Sequence, residues 1–232
     1  MKSRSKLYKS RVALVDRSKY YTLDEAVALL KKMPAAKFDE SIDIAFNLGI
    51  DPRQSDQTVR GAVSLPHGTG KSVRVICVAE GDAAAAAQKA GADAVGMDDL
   101  IEKIKGGWTD FDVMIATPAA MTKVRTLGRV LGPKGLMPNP KTGTVTDDTG
   151  KAVTESKGGR VEFRADKGGA AQVLAGKLSF DAAKIVDNAK TIISAIQRAR
   201  PSAARGTYML SCTLSATMSP GVKVDLKEFV RI

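Results

Sequence analysis

Residues 41–48 read SIDIAFNL and residues 73–79 read VRVICVA, and these two stretches decide the fold class. In the first, apolar and polar residues alternate, which is typical of a strand with one buried face in an antiparallel sheet. In the second, the apolar run is nearly continuous, which is typical of a strand covered on both faces of a parallel sheet. The sequence therefore predicts two different kinds of sheet in one chain.

The segments around each stretch follow the same division. With the alternating strand we group a helix that begins at the capping box Thr22–Glu25, a strand near 59–65, a strand at 160–164 followed by a turn at 166–169, a helix from Ser179 to just before Pro201, and closing strands at 208–218 and 222–226. With the continuous strand we group helices near 82–90 and 98–105 and short strands at 94–95 and 113–116.

This grouping predicts an α+β / α/β protein of two domains. Residues 1–67 plus 160–232 are expected to form a discontinuous α+β domain, and residues 68–159 an inserted α/β domain. The crossings between them are rich in glycine, which gives the backbone the freedom that a hinge needs. The predicted hinge residues are Gly68, Gly70, Gly158 and Gly159.

The charge of the chain points to a polyanionic partner. Its 232 residues carry a formal net charge of +11. Residues 1–67 contribute +4 and residues 160–232 contribute +6, whereas residues 68–159 contribute only +1. The excess therefore lies on the predicted discontinuous domain, and nucleic acid is the first expectation for its partner.

Several classes of protein do not fit the sequence. No apolar stretch approaches the roughly 18 residues that a membrane span needs, and we expect no membrane partner. Two cysteines and one histidine exclude a disulfide scaffold and a multi-histidine metal site, so no metal is expected. The first 15 residues are basic, with no acid before Asp16, and are interpreted as a solvated basic arm that contains Lys2.

Enzyme motifs are incomplete. The segment Gly68–Ser72 ends like a phosphate-binding loop, but the glycine required five positions before Gly70 is Leu65. His67 has no accompanying nucleophile motif, and Cys77 lies in an apolar strand. We therefore expect no catalytic residue, no cofactor and no small-molecule substrate.

The glycine- and proline-rich stretch 128–141 excludes a helix or a central strand and predicts a rigid loop. On the residues alone, this loop is either structural or a binding surface. Small hydroxyls, an aromatic and a methionine at predicted strand ends, in 37–41 and 214–219, are groups that can contact ribose and bases.

Together these segments resemble the ribosomal protein L1 family of the bacterial large subunit. The most specific pieces are LGRVLGPKGLMPNPKTGTV at 127–145 and KFDESIDIAFNLGIDPRQSDQTVRG at 37–61, and the similarity runs from near Thr22 to Val224. The resemblance implies a Rossmann-like inserted domain and a discontinuous domain that binds the rRNA stalk beside the tRNA exit site. It also implies release of deacylated tRNA, repression of the protein's own operon mRNA, and a cytoplasmic location as a monomer within the large ribosomal subunit.

The resemblance also assigns residues. The implied RNA contacts are Lys37, Phe38, Glu40, Ser41, Arg53, Arg164, Asp166, Lys167, Ser215, Thr217, Met218 and Ser219, and the signature loop comprises Gly128, Gly132, Pro133, Lys134, Gly135, Met137, Pro138 and Lys141. Three positions depart from the family pattern. Ser219 replaces a usual glycine, Ala165 a usual asparagine, and Gly168 a common polar residue. The alternative is a general basic architectural RNA-binding protein with no tie to the ribosome.

Overall fold

The computed structural model describes residues 4–227 and residue 229. The helices are α1 (Lys6–Val12), α2 (Leu23–Lys32), α3 (Gly81–Lys89), α4 (Asp98–Lys105), α5 (Met121–Val124), α6 (Gly128–Leu131), α7 (Thr149–Lys157) and α8 (Ala182–Arg198). The strands are β1 (Ser41–Leu48), β2 (Arg60–Ser64), β3 (Val75–Val78), β4 (Ala94–Gly96), β5 (Val113–Ala116), β6 (Arg160–Arg164), β7 (Ala170–Lys177), β8 (Met209–Ala216) and β9 (Val222–Val224).

The chain divides into two compact units. Unit 1 comprises the residues up to Gly70 together with those from Val161 onward, and unit 2 comprises Lys71–Arg160. The predicted domain boundaries, after residue 67 and after residue 159, lie near this division. That each unit folds as an independent domain stays a prediction.

Unit 1 is built on a four-stranded antiparallel sheet in the order β7-β1-β8-β9. Alternate residues of β1, from Ile42 to Leu48, are buried in its core. The amphipathic helices α2 and α8 cover this face and contribute buried apolar side chains such as Val27 and Ile192. Strand side chains point alternately to the two faces, and the other face carries mostly small or polar residues together with Leu174 of β7. A separate pair, β2 and β6, forms a two-stranded sheet.

Unit 2 contains a three-stranded parallel sheet in the order β4-β3-β5. Two separate cores explain the continuous apolar run of β3. Val75 and Cys77 join one core with Val153 of α7, whereas Ile76 and Val78 join another with residues of α4 such as Ile104. Since both faces are covered, no position of the strand is left for a polar side chain.

Several local predictions are confirmed. The Thr22 hydroxyl accepts a hydrogen bond from the Glu25 amide, and the Glu25 carboxylate accepts one from the Thr22 amide, as a capping box requires. The strands at 41–48 and 113–116 and the helix at 98–105 have the bounds that their patterns predicted. The fold is thus a mixed α/β arrangement.

Other local predictions are wrong. The basic arm is not wholly solvated, since residues 6–12 form α1 and Arg11 is buried; Lys2 lies outside the described residues. Residues 128–131 form one helical turn despite their glycine, because apolar Leu131 packs into the core. Helix α8 begins at Ala182, with Asp181 and not Ser179 at its N-cap position.

Candidate nucleic-acid interface

The start of β1 and the end of β8 meet at one end of the unit 1 sheet. Ile42 pairs with Ala216, and one residue beyond this pair Ser41 and Thr217 lie side by side. The Thr217 hydroxyl accepts a hydrogen bond from the Ser41 amide at 3.1 Å and donates one to the Ser41 carbonyl at 3.3 Å. The Thr217 amide donates to the same carbonyl at 3.0 Å. These bonds fix the two strand ends to each other.

We call the predicted contacts at this end the strand-end cluster: Lys37, Phe38, Glu40, Ser41, Ser215, Thr217, Met218 and Ser219. The largest apolar side chains among them are exposed, with Phe38 at 52% and Met218 at 48%. Lys37 is also exposed. Exposed large apolar groups beside a cation are the kind of surface on which nucleic-acid bases can stack.

A further cation, absent from the predicted contacts, lies next to the strand-end cluster. Lys177, at the end of β7, pairs in register with Ser41 and donates a hydrogen bond from its Nζ to the Ser41 hydroxyl at 3.1 Å. Burial raises the pKa of neighbouring Asp43, and the Lys177 ammonium acts in the opposite direction. No signal in the sequence indicated Lys177, because strand β7 was not predicted; its pairing with β1 brings Lys177 next to Ser41.

Glu40 does not lie on the surface, so the expectation that it contacts RNA directly is corrected. Its side chain is buried and forms a salt bridge with Arg11, with 2.5 Å between Arg11 Nη2 and Glu40 Oε1. Its other oxygen accepts a hydrogen bond from the Met218 amide at 2.9 Å. Burial acts to raise the pKa of Glu40, but the hydrogen bonds from Arg11 and Met218 outweigh it and hold that pKa below its usual range.

Ser219, which departs from the family pattern, closes the turn after β8. Its hydroxyl accepts a hydrogen bond from the Ala216 amide at 2.8 Å, and its own amide donates to the Ala216 carbonyl at 3.0 Å. The side chain is half-buried. The serine thus has a structural role in shaping the loop that carries Thr217 and Met218.

The remaining predicted contacts lie at the other end of the sheet, and we call Arg53, Arg164, Asp166 and Lys167 the far-end cluster. Asn47, near the end of β1, pairs with Ala170 at the start of β7, directly after the turn that holds Asp166 and Lys167. Asp166 shapes this turn, since its Oδ1 accepts hydrogen bonds from the Gly168 amide at 2.8 Å and the Ala170 amide at 2.9 Å. All four residues are exposed.

Strand length separates the two clusters. Six residue steps along β1 join Ser41 to Asn47, which at about 3.4 Å per residue is roughly 20 Å. The open face of the sheet lies between them and carries mostly small or polar side chains, among them Asp43, Ser211, Thr213 and Ser215, together with the apolar Leu174, which pairs with Asp43. The predicted residues therefore form two groups, one at each end of the four-stranded sheet, and not a single patch; Arg164 of the second group belongs to the separate β2–β6 pair.

The signature loop of unit 2 is partly buried and partly exposed. Pro138 is buried, and Leu136 and Met137 pack against the core beside Leu131. At Gly132 an added Cβ would lie 2.6 Å from the Gly128 carbonyl oxygen, and Gly135 has a φ of +72°. These positions have structural reasons for their residue types. Gly128 begins α6, and Pro133, Lys134 and Lys141 are exposed.

The signature loop lies in a basic stretch that the net charge of residues 68–159 does not indicate. No Asp or Glu occurs from residue 113 to residue 146, whereas five basic residues do: Lys123, Arg125, Arg129, Lys134 and Lys141. All five are exposed. Lys123 is paired with Asp98, and the Lys134 ammonium donates a hydrogen bond to Thr109. The small net charge of the middle segment thus conceals a strongly basic stretch.

The other candidate groups are structural. Burial raises the pKa of the Cys77 thiol to about 11 and that of the Cys212 thiol to about 12. His67 lies 3.4 Å from Asp187 and has no nucleophile motif beside it. Within residues 4–227 and 229, no group of three or more His, Cys, Asp or Glu side chains is placed to hold a metal ion. No helix in that part of the chain is both long and apolar enough to cross a membrane.

Comparison with known families identifies the family of the chain. A model of the ribosomal protein L1p/L10e family matches residues 30–220, which include the strand-end cluster, the far-end cluster and the signature loop. The chain belongs to this family. As an L1-family member it is a structural RNA-binding protein of the large ribosomal subunit in the cytoplasm, its partner is ribosomal RNA, and the family is not one of enzymes.

Proposed function

We propose that this protein binds the helical rRNA stalk near the tRNA exit site through unit 1. The observation that carries the proposal is the convergence of Phe38, Ser41, Thr217 and Met218 at one end of a sheet in the more basic part of the chain. Exposed Phe38 and Met218 offer stacking surfaces, while hydroxyls and backbone groups suit the wide minor groove and 2′-hydroxyls of RNA. Cations supply the salt-dependent attraction to phosphates.

The far-end cluster gives this RNA a second point of contact. An RNA helix that lies along the strands and spans the roughly 20 Å between the clusters touches Thr217 at one end and Lys167 at the other. Most side chains on the intervening sheet face are small or polar, Leu174 being the exception, and they let the RNA backbone approach. Recognition is then by shape, with the RNA held at two separated points.

The test of this proposal compares two exposed aromatic residues. Phe38→Ala removes the ring from the strand-end cluster, whereas Tyr20→Ala removes a ring that is 58% exposed beside Lys223, outside both clusters. We expect Phe38→Ala to weaken binding to a minimal stalk RNA by about 1–3 kcal/mol and Tyr20→Ala to leave it unchanged. Equal affinities for both variants and the wild type would contradict the proposed interface.

The resemblance further supports release of deacylated tRNA from the exit site, and we assign the tRNA contact to the basic stretch 113–146 of unit 2. Arg125 and Arg129 are exposed and lie where no carboxylate of the same stretch competes for them. Such cations bind phosphates without reading sequence, which suits a partner that changes with every codon.

The tRNA assignment is tested with matched pairs of substitutions. Arg125→Gln with Arg129→Gln should weaken binding of the full chain to deacylated tRNA and leave its affinity for stalk RNA intact. Lys89→Gln with Lys105→Gln removes the same charge from exposed positions outside the basic stretch and should affect neither. If both pairs weaken tRNA binding equally, net charge and not the basic stretch is responsible.

Repression of the operon messenger follows if the mRNA presents the same shape as the rRNA stalk. The strand-end cluster then binds either RNA but not both. We expect stalk RNA to displace a leader fragment of the operon mRNA at stoichiometric concentration, and Phe38→Ala to weaken both complexes in parallel. A ternary complex containing both RNAs would contradict a shared site.

We also propose that the glycines at the crossings act as hinges. Gly68, Gly70 and Gly159 have φ angles of +65°, +71° and +103°, which other residues adopt with strain, whereas Gly158 has an ordinary φ of −71°. The test is the distance distribution between dyes placed on unit 1 and unit 2 of the free protein. A single narrow distance would contradict the hinge.

The alternative function is general architectural RNA binding without ribosomal specificity. Its support is the net charge of +11. Such a protein binds unrelated duplexes as tightly as stalk RNA, which separates it from the first proposal.

A further inference from the structure

Arg11 is an unusual residue for the interior of unit 1. It lies in α1, outside the residues 30–220 that the family model matches, and its side chain is only 1% exposed. It is among the largest side chains that are fully buried in the described part of the chain. Arginine is almost never fully buried unless it is paired, so its partners carry information.

All three nitrogens of the Arg11 guanidinium donate hydrogen bonds within the protein. Its Nη1 donates to Glu40 Oε2 at 3.0 Å, and its Nη2 donates to Glu40 Oε1 at 2.5 Å, which is the two-pronged geometry that a planar fork allows. Its Nε donates to the Pro34 carbonyl at 2.9 Å. One side chain thus fixes both ends of the segment that leads from α2 to β1.

Glu40 passes this restraint to the other strand. Its Oε2, which accepts from Arg11, also accepts the Met218 amide at 2.9 Å, and the Ala36 amide adds a further hydrogen bond. Met218 follows Thr217 directly in the loop after β8. The Arg11–Glu40 pair therefore lies beneath the strand-end cluster and connects its two halves through the interior.

The pair also sets the charge of the cluster. A buried carboxylate without its cation is unfavourable by itself, and next to an approaching RNA phosphate its negative charge is repulsive. Arg11 neutralises this carboxylate without reaching the surface. Arg11 then affects RNA binding indirectly, because it holds Glu40 in place and neutralises the Glu40 carboxylate.

We propose that Arg11 is a positioning residue for RNA binding, and that helix α1 belongs to the RNA-binding unit by holding Glu40 and the Met218 loop in place. The inference rests on the proposed rRNA function of the strand-end cluster. It gives the N-terminal segment a role in RNA binding that does not depend on direct contact with RNA.

The test compares Arg11→Met and Lys6→Met in the full chain with a minimal stalk RNA. Both remove one positive charge from α1, but Lys6 is exposed whereas Arg11 is buried. We expect Arg11→Met to lower the affinity at least about 10-fold, as loss of a buried hydrogen-bonded partner does, and Lys6→Met to change it less than about 2-fold, as expected for an exposed group. The dependence of log affinity on log salt should keep its slope in Arg11→Met, because no phosphate contact is lost.

Two further measurements separate positioning from general destabilisation. In folded Arg11→Met, the amide NMR signal of Met218 should shift and exchange with solvent faster, while amides of unit 2, such as those of α4, remain unchanged. Adding Glu40→Gln to Arg11→Met should recover part of the lost affinity, because the buried charge is then removed as well. If Arg11→Met does not fold, Arg11→Lys decides, since it keeps the charge and loses the fork.

The outcomes distinguish this inference from the function on which it rests. If the wild type shows no preference for stalk RNA, the proposed function is wrong and the inference falls with it. If the wild type prefers stalk RNA but folded Arg11→Met, or Arg11→Lys in its place, binds as tightly with an unchanged Met218 signal, the inference alone is overturned.

Discussion

The hydroxyl of Thr217 joins the two strand ends at the proposed RNA interface. It exchanges hydrogen bonds with the amide and the carbonyl of Ser41, and it does so on an exposed residue. Thr217→Val keeps the shape and removes both bonds. We expect binding to stalk RNA to weaken by about 1–3 kcal/mol, because the strand ends lose their restraint where RNA is bound.

The control for Thr217→Val is Thr191→Val. Thr191 also bonds a backbone carbonyl, that of Asp187, but lies on the exposed side of α8. The Thr191→Val variant should bind stalk RNA as tightly as the wild type does. Unchanged binding of Thr217→Val in a titration that resolves a 3-fold difference would remove Thr217 from the interface.

The depressed pKa of Glu40 predicts how the Arg11–Glu40 pair responds to acid. A carboxyl whose folded-state pKa is below its unfolded value contributes stability above the unfolded value, near 4.3 for Glu, and this contribution is lost as pH falls through the folded value. The difference in unfolding free energy between the wild type and Glu40→Gln should therefore be largest near neutral pH and shrink below about pH 4. Urea denaturation across this range measures it; a difference independent of pH would mean that the carboxylate is not the stabilising form.

The two thiols should be inert in the folded protein. With pKa values of about 11 for Cys77 and about 12 for Cys212, and with both side chains buried, almost no thiolate exists at pH 7. A thiol-reactive reagent should label both in urea and neither in buffer within the same time. Rapid labelling of the native protein would show that one of the cores opens readily.

The sequence contains information about some of these residues and not about others. Ser41 and Thr217 could be assigned because the resemblance covers them and strand ends are recognisable. Arg11 and the burial of Glu40 could not, because their pairing joins positions 29 apart through tertiary packing. A basic residue near a chain end is by default a solvated charge, and only the structure shows its partner.

Helix α2 is the element that its sequence specifies best. Its capping box, acidic first turn and basic last turn all favour the same bounds. Thr22→Ala removes the cap and should lower the free energy of unfolding by about 1 kcal/mol, as measured by urea denaturation. Glu25→Gln keeps the reciprocal hydrogen bond and should cost much less; equal losses for both would indicate that the charge, and not the cap, stabilises the helix.

Elements without a periodic pattern were missed. Strand β7 reads AAQVLAGK and helix α7 reads TGKAVTESK, and neither has a strong apolar face. Strand β7 is held by pairing with β1 along its whole length, and α7 by packing of Val153 and Ala152 on the sheet of unit 2. Both depend on partners distant in sequence, which local patterns do not contain.

Charge is distributed unevenly both between the segments of the chain and within unit 2. The terminal segments carry most of the excess, as their composition alone shows. Within unit 2, however, the average hides an acid-free stretch from 113 to 146. Net charge summed over an expected domain is too coarse to detect such a stretch, so the sequence did not single out the residues for which we propose tRNA contact.

Unit 2 should fold without unit 1. Residues 71–160 are continuous in sequence and contain a parallel sheet with a core on each face. The isolated fragment should show cooperative thermal unfolding and dispersed amide signals, and should not bind stalk RNA selectively. A fragment that lacks cooperative unfolding would contradict independent folding of the inserted unit.

We propose that unit 1 recognises the shape of the rRNA stalk and not merely its charge. The most direct measurement is the affinity of the full chain for a minimal stalk RNA and for a scrambled duplex of equal length across a salt series. Charge alone gives affinities that fall together as salt rises. We predict that the preference for stalk RNA persists at high salt. Equal affinities for the two RNAs that fall in parallel as salt rises would contradict shape recognition by unit 1.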